Sequence, residues 1–279
     1  MSQEPTISVV VPTRDRPDAL RRCLQALASQ TATIEIVVID DGSRADLAIA
    51  VDAAVKEAGA LFARGGGAGP AAARNAGGSA AAGEVILFTD DDCAPEPSWA
   101  QTLAAACPVG GSAAGATVND MPSDKVAAAS QLLTSELQRS SLGADGTLGF
   151  APTSNLAVSR ELFARLPFDE AYPHAAGEDR AWCAAAKRLG AAPVYEPGAV
   201  VRHRQELGVR GFWRQQVRYG RGAAIYRRSG RRLAGAGVRA RLVRAGFGEG
   251  IRVGLLVVLA QVAVAVGFAL EATGRTAQR

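Results

Sequence analysis

Short apolar runs alternate with helically spaced apolar positions over the first hundred residues. The runs at 6–11, 34–39 and 85–88 are apolar almost throughout, which is typical of strands buried on both faces of a sheet. This alternation predicts an α/β fold with a doubly wound, mostly parallel sheet and helices on both faces. Apolar residues recurring every three or four positions predict the intervening helices at about 18–27, 45–58 and 71–82.

Carboxylates follow each of these predicted strands. Asp15 comes after the first strand, Asp40 and Asp41 end the second, and three consecutive Asp residues at 90–92 end the third. The carboxyl ends of parallel strands meet at one edge of a sheet, where ligands bind. Adjacent anions repel one another unless a cation neutralises them. Their oxygen atoms suit Mg²⁺ or Mn²⁺, and either ion suits a phosphate-bearing ligand.

A glycine-rich loop at 65–69 precedes the helix predicted at 71–82. It does not match the dinucleotide-binding pattern G-x-G-x-x-G, because Pro70 stands where the third glycine belongs. The loop also follows a further short strand predicted at 61–63 rather than the first strand of the chain. A helix N-terminus can still face a phosphate or ribose, and Arg74 adds a positive charge one turn into the helix.

The second half of the chain has a looser pattern, and its elements are shorter. His203 follows the last predicted strand, where a histidine could bind a metal ion; a purely structural role is an equal alternative. Strands are predicted within 109–118, 149–158, 194–195 and 199–201, and helices at 126–142, 160–166 and 178–189.

Charge divides the chain into two unlike parts. Residues 1–201 hold 15 Lys and Arg against 24 Asp and Glu, a net charge of −9; residues 202–252 hold 14 Arg against two Glu, a net charge of +12. The basic segment runs directly into an apolar stretch at 251–270, which favours anionic lipid over nucleic acid as its partner.

The apolar stretch at 251–270 contains one uncharged polar side chain, Gln261, beyond Arg252. Twenty helical residues span about 30 Å, enough to cross the hydrocarbon core of a bilayer. We expect one transmembrane or deeply embedded helix; a buried or interfacial amphipathic helix is the alternative. The chain lacks a secretory signal pattern, and its four cysteines form no C-x-x-C pair, which argues against a disulfide framework or a zinc site.

The motifs resemble those of the large inverting glycosyltransferase family (family two) of GT-A fold, over about residues 6–222. The matching strings are VVPTRDR at 10–16, VVIDDGS at 37–43, GPAAARNAG at 69–77, GEVILFTDDD at 83–92 and GEDRAW at 177–182.

The resemblance implies a role for each matching residue. Asp179 would be the catalytic base. Asp92, Asp90 and His203 would hold Mn²⁺ or Mg²⁺. The nucleotide-diphosphate donor would contact Pro12, Thr13, Asp15, Arg16, Asp41, Arg74, Asp90 and Asp91. As a separate hypothesis, an acceptor captured at the membrane would enter along 150–155 and the basic helix at 213–221, and would contact Asn155, Glu178 and Trp213.

The implied activity is metal-dependent transfer of one sugar from a UDP-, GDP- or dTDP-linked donor to an acceptor hydroxyl, with inversion. Gln215-x-x-Arg218 is followed by Tyr219 rather than by the Trp of processive relatives, and one span cannot form a polymer channel, so we expect no polymer. A lipid-linked or cell-envelope acceptor is a further hypothesis. The alternatives are a membrane-anchored, non-catalytic nucleotide-sugar-binding protein and a sugar-phosphate nucleotidyltransferase.

The predicted organisation has a catalytic domain at 1–222, with a nucleotide-binding half at 1–100 and an acceptor half at 101–222. A basic juxtamembrane segment at 223–250, the apolar helix at 251–270 and a tail at 271–279 follow. Arginines upstream of the helix predict attachment to the cytoplasmic face of the cell membrane.

Overall fold

The computed structural model describes residues 6–172, 176–230 and 236–274; the last part of the predicted tail lies outside them. The first hundred residues form the predicted alternation of strands and helices. Its elements are β1 (Ile7–Thr13), α1 (Pro17–Ala28), β2 (Ile34–Asp40), α2 (Ala45–Glu57), β3 (Leu61–Arg64), α3 (Pro70–Ala80), β4 (Val85–Phe88), β5 (Cys93–Pro95) and α4 (Trp99–Ala106).

The second half adds three strands and six helices to the described chain. They are β6 (Ser112–Asn119), α5 (Lys125–Ser140), a 3₁₀ turn (Thr153–Asn155), β7 (Leu156–Ser159), α6 (Arg160–Arg165), α7 (Glu178–Arg188), β8 (Val194–His203), α8 (Val209–Arg228), α9 (Ala236–Gly248) and α10 (Ile251–Ala272).

All eight strands join one sheet, in the order β3-β2-β1-β4-β7-β6-β8-β5. The predicted fold class is confirmed: β3, β2, β1 and β4 are parallel, as are β6 and β8. Strand β7 runs antiparallel to both its neighbours, and β5 runs antiparallel to β8. The two short strands predicted at 194–195 and 199–201 are one strand, β8, because a register shift opposite Gly115 and Ala116 carries the pairing across the irregular residues between them.

Helices cover both faces of the sheet, as the apolar runs require. In β1, Val9 and Val11 face the core formed with α1 and α4, whereas Val10 faces the core formed with α3 and α7. Alternate residues of one strand point to opposite faces, so a strand covered on both faces needs apolar residues at successive positions. The sheet therefore holds the acidic loops after β1, β2 and β4 on one rigid edge.

Helix α10 packs against the remainder of the protein along one face and leaves another apolar face exposed. It is long and apolar enough to cross a membrane, as are some core helices of soluble proteins. About 33% of its apolar segment is buried. The exposed residues form a stripe at helical spacing: Ile251, Leu255, Val258, Val262 and Val266. The predicted domain boundary at 222 falls inside α8, so the chain enters the basic segment without leaving a helix.

Two glycines allow α8 and α10 to approach closely. A Cβ atom on Gly267 would lie 1.9 Å from the Val217 carbonyl oxygen, and one on Gly220 would lie 2.1 Å from the Val264 carbonyl oxygen. Both obstacles are backbone atoms, so a side chain at either position forces the two helices apart.

We expect Gly267→Ala to lower the free energy of unfolding by about 1–3 kcal/mol, the usual effect of overpacking. The measurement is thermal unfolding in one detergent. Gly237→Ala in α9 is the matched control, because nothing lies within 4 Å of its Cβ position and alanine favours a helix. Equal melting temperatures for the two variants would show that α10 is not packed on α8.

Candidate active site

The three consecutive carboxylates after β4 point to different partners. Asp90 Oδ1 accepts a hydrogen bond from Arg74 Nη2 at 2.8 Å. Asp91 Oδ2 accepts one from Thr13 Oγ1 at 2.8 Å, and Asp91 Oδ1 lies 3.2 Å from Arg16 Nη1. Burial outweighs the Arg16 charge and raises the pKa of Asp91 to about 7. Residues from the ends of β1 and β4 and from α3 are thus brought together as the sequence predicts.

The third carboxylate, Asp92, meets His203. Strand β5 pairs with the end of β8 so that Cys93 lies opposite His203. This pairing brings His203 Nε2 to 3.3 Å from Asp92 Oδ1. Arg16 Nη1 lies 2.9 Å from the other oxygen, Oδ2. Burial disfavours the charged form of Asp92, but His203 and Arg16 together outweigh it, so the pKa of Asp92 lies below its usual value.

The second imidazole nitrogen of His203 is held by Gln131. His203 Nδ1 lies 3.3 Å from Gln131 Oε1. Gln131 Nε2 donates to the Thr117 carbonyl at 2.8 Å, which assigns Oε1 as the acceptor facing the ring. Nδ1 therefore donates to Gln131, whereas Nε2 faces Asp92; burial favours the neutral ring, but the Asp92 carboxylate outweighs it and raises the pKa of His203. A metal-binding histidine commonly has such a partner on its other nitrogen.

The donor set fits a hard divalent cation. Ligand atoms of Asp92, Cys93 and His203 lie within 4.8 Å of one another, in the part of the chain that the structure describes. Cys93 is buried, which raises the pKa of its thiol well above the ordinary value, so it stays protonated. A carboxylate oxygen and an imidazole nitrogen remain, and Mn²⁺ and Mg²⁺ accept such a set together with phosphate oxygens.

The loops after β1 and β2 are tied to one another. Asp15 adopts a φ of 58°, its N–H donates to Ser43 Oγ at 2.8 Å, and its Oδ1 accepts from the N–H of Arg44 at 2.8 Å. Asp41 Oδ2 accepts from the Gly69 N–H at 3.0 Å. The Asp15 carboxylate thus caps the start of α2, and Asp41 anchors the glycine-rich loop. Pro12 lies half-buried in β1 beside Thr13.

Arg74 connects this edge of the sheet to α7. Its side chain is 4% exposed, and Nη1 lies 3.1 Å from Glu178 Oε1 while Nη2 binds Asp90. Burial and the neighbouring Asp179 charge raise the pKa of Glu178 to about 7, against the effect of Arg74. Glu178 therefore holds Arg74 through Oε1, while its Oε2 has no hydrogen-bond partner within the described residues.

Asp179 follows on the first turn of α7 and lines a cavity of about 420 Å³. Burial raises the pKa of its carboxyl group above the ordinary value, with Arg180 opposing the shift. A raised pKa suits a carboxylate that must take up a proton during a reaction. Of the residues predicted from the sequence, Arg74, Asp90, Glu178, Asp179 and His203 line this cavity.

Two predicted acceptor residues lie outside the cavity lining. Asn155 is fully buried: it accepts from Trp99 Nε1 at 2.8 Å and donates to the Ala116 and Ala199 carbonyls at 2.8 and 2.9 Å. Trp213 lies on α8, and Gln216 and Tyr219, one and two turns further along, line the cavity instead.

Thr153 and Ser154, in the segment predicted for entry of an acceptor, line the cavity directly before Asn155. Sequence reasoning missed Gln131. Gln131 lies on the inward face of α5, where no motif marks it.

We expect Asn155→Ala to lower the free energy of unfolding by about 3 kcal/mol or more, because it leaves one buried donor and two carbonyls with fewer partners, each costing about 1–3 kcal/mol. Denaturant unfolding is the measurement. Asn119→Ala, which removes only local bonds to Met121, is the control. An Asn155→Ala protein as stable as this control would rule out the structural role.

The profile of Glycosyl transferase family 2 matches residues 8–164, more than half of the 279 residues. The chain therefore belongs to this family. No curated protein sequence matches the chain.

Solved glycosyltransferases have the same fold. Mannosyltransferase PcManGT from Pyrobaculum calidifontis, in complex with GDP-Man and Mn²⁺, aligns with a TM-score of 0.59 and 22% identity over 98% of this chain and 80% of that one. Glucosyl-3-phosphoglycerate synthase from Mycobacterium tuberculosis, in complex with Mn²⁺, UDP and glucosyl-3-phosphoglycerate, aligns with a TM-score of 0.58 and 21% identity. The alignment covers 83% of this chain and 82% of that one. S. aureus TarS aligns with a TM-score of 0.51 and 15% identity, over 96% of this chain and 55% of that one. At these identities the likeness shows the GT-A fold alone.

Proposed function

We propose that the protein transfers a single sugar from a nucleotide-diphosphate donor to an acceptor hydroxyl, with a divalent metal and with inversion at the anomeric carbon. The observation that carries this proposal is that residues able to hold a metal and a carboxylate able to act as a base lie beside the same cavity. The Asp92–His203 pair lies beside Asp90, and Asp90 and His203 line the same cavity as Asp179.

The donor would lie along the edge formed by the ends of β1, β2 and β4. Thr13 and Arg16 already contact Asp91, so they set the walls for a base and ribose. The N-terminus of α3 and the glycine-rich loop adjoin this edge, and a helix N-terminus favours the negative charge of a phosphate. Arg74 is held by Asp90 and Glu178, and its Nε, which has no partner within the described ranges of the chain, would donate a hydrogen bond to the donor.

Asp92 and His203 Nε2 would hold Mn²⁺ or Mg²⁺. Such an ion, when bound, offsets the charge that develops on the leaving diphosphate. The Mn²⁺ complexes of PcManGT and of the mycobacterial synthase support a metal in this fold. Arg16, half-exposed, would exchange its contact with Asp92 for one with the donor phosphates or ribose.

Asp179 would serve as the general base. The acceptor oxygen bonds to the anomeric carbon, the bond from that carbon to the diphosphate oxygen breaks, and the acceptor proton passes to Asp179. One displacement with one base inverts the configuration. The apolar stripe on α10 and the arginines before it support attachment to the cytoplasmic face of a membrane.

We expect one of UDP, GDP and dTDP to bind in the presence of Mn²⁺, and Asp92→Ala to abolish that binding by removing a metal ligand. The measurement is calorimetric titration of each nucleotide with and without Mn²⁺. Asp145→Ala, in an exposed turn, is the control and should bind normally. Absence of binding by any nucleotide to folded protein would refute the transferase proposal and favour an anchored binding protein of another specificity.

We expect Asp179→Asn to bind the nucleotide normally and to lose sugar transfer by about 10²–10⁴-fold, the usual contribution of a general base. In the wild-type protein, transfer should fall as the pH is lowered through the pKa of Asp179, because the base must be ionised. Since the pKa of Asp179 is raised, the transfer rate should begin to fall at a pH higher than about 3.9, the ordinary pKa of an Asp side chain. Hydrolysis of the donor, measured with and without acceptors, provides the readout; Asp145→Asn is the control. Unchanged turnover in Asp179→Asn would exclude it as the base.

A further inference from the structure

The cavity that begins at Asp179 has a second, apolar end. Its polar end is formed by Asp90, Asp179 and His203. Beyond them the lining includes apolar side chains from α5, α9 and α10, among them Leu133, Leu137, Leu242, Val264 and Phe268. A volume of about 420 Å³ lies within the range of about 300–1,000 Å³ of small-molecule sites. A sugar hydroxyl or a diphosphate would bind poorly to such an apolar surface, because it would lose hydration there without gaining hydrogen bonds.

Three arginines line the cavity without an ion-pair contact to a carboxylate among the described residues: Arg180, Arg227 and Arg239. Arg180 lies over the Phe150 ring at 5.2 Å and Arg227 over the Phe268 ring at 5.7 Å. Arg74, in contrast, is neutralised by two carboxylates. Uncommitted guanidinium groups beside aromatic rings suit a phosphate, which they bind with paired hydrogen bonds.

Polar atoms without partners lie around the same space. Six buried side-chain atoms of the described residues lack a hydrogen-bond partner, and four of them belong to residues that line the cavity. They are Arg74 Nε, Thr117 Oγ1, Glu178 Oε2 and Gln205 Oε1. Buried polar groups are normally satisfied, so this concentration indicates that a polar group of a ligand completes them.

The apolar end of the cavity is closed by the helix that carries the exposed apolar stripe. Val264 and Phe268 of α10 line the cavity, whereas Val262 and Val266 lie exposed on the outer face. A bilayer against the outer face of α10 would therefore lie one helix diameter from the cavity. A hydrocarbon chain held in the cavity would reach from there into the bilayer.

We propose that this cavity binds the acceptor, and that the acceptor is a phosphate-bearing lipid. Its hydroxyl lies at Asp179, its phosphate among Arg180, Arg227 and Arg239, and its hydrocarbon chain between α5, α9 and α10. The proposal rests on the proposed sugar transfer, since it assigns the acceptor of that reaction. The hydroxyl proton passes to Asp179 and the nucleoside diphosphate leaves, so the balance of the reaction is unchanged.

The test uses the full chain in nanodiscs of phosphatidylcholine, with farnesyl phosphate and dioctanoyl phosphatidic acid as probes. Farnesol, which lacks the phosphate, measures binding of the hydrocarbon chain alone, and inorganic phosphate measures binding of the head group alone. Ala265→Trp fills the cavity from α10, and Val262→Trp adds the same ring to the exposed face. Arg239→Gln removes one cavity charge, and Arg244→Gln removes an exposed charge from the same helix, outside the cavity lining.

We expect both phosphate lipids, or the one with the matching chain, to bind at least about tenfold more tightly than farnesol or inorganic phosphate, because each of these two controls lacks either the charge-assisted hydrogen bonds or the apolar contacts. Ala265→Trp should weaken lipid binding at least tenfold, and Arg239→Gln should weaken it without changing the affinity for farnesol. Val262→Trp and Arg244→Gln should behave as wild type. Neither probe carries a free hydroxyl, so both report binding of the phosphate and the chain alone; a preference for farnesyl phosphate would indicate an isoprenoid chain, and the reverse the chains of a glycerolipid.

Binding of Mn²⁺ and the nucleotide is measured on the same samples, so that two failures can be told apart. Normal nucleotide binding without lipid binding, or with lipid binding that Ala265→Trp leaves intact, would overturn the acceptor proposal and leave the sugar-transfer proposal standing. Lipid binding without binding of any nucleotide would overturn both, because the cavity would then serve no transfer reaction.

Discussion

The buried arginine at position 74 is the contact on which the candidate active site depends. Its guanidinium lies between Asp90, at the end of β4, and Glu178, at the start of α7. Removing a charge from water costs several kcal/mol, and two carboxylates in contact offset that cost; loss of either one would leave an unpaired buried charge, which is strongly destabilising. This ion pair network therefore fixes α7 relative to the sheet edge, and with it the position of Asp179. Arg74 Nε and Glu178 Oε2 retain unused hydrogen-bonding capacity toward the cavity.

The sheet contributes a second constraint, through its antiparallel edge. The parallel strands β1, β2 and β4 deliver their carboxylates to one edge, and β7, antiparallel to both β4 and β6, gives β6 and β8 the same direction as β4. Strand β8 runs alongside β6 and reaches the same edge, where the short strand β5 pairs with it. His203 consequently meets Asp92, and Gln131 on α5 orients the ring from the other side. The carboxylate, the imidazole and the amide that orients the imidazole thus come from three separate segments of the chain.

The C-terminal helices then enclose the site. Glycines in α8 and α10 let the two backbones approach, and α9 packs beside them, so that a cavity beginning at Asp179 ends among apolar side chains. The same helix α10 closes the cavity with one face and exposes an apolar stripe with the other. The separation of acidic and basic halves along the chain thus corresponds to a division of labour: the acidic half forms the sheet edge, and the basic half forms the enclosing helices.

The sequence by itself determined the alternating elements of the first hundred residues and the carboxylates at the strand ends, because continuous apolar runs can be buried only as central strands and polar residues must then lie where the strands stop. It also identified Arg74, Asp179 and His203 as candidates, through motifs of the family. Only the tertiary structure decided that Asn155 holds the core together and that Thr153 and Ser154 line the cavity. Only it revealed Gln131 as the partner of His203 and the β5–β8 pairing behind the Asp92–His203 contact. These facts depend on which distant segments pack together, and neither periodicity nor spacing along one chain records the antiparallel pairing or the helix contacts that bring such segments into reach.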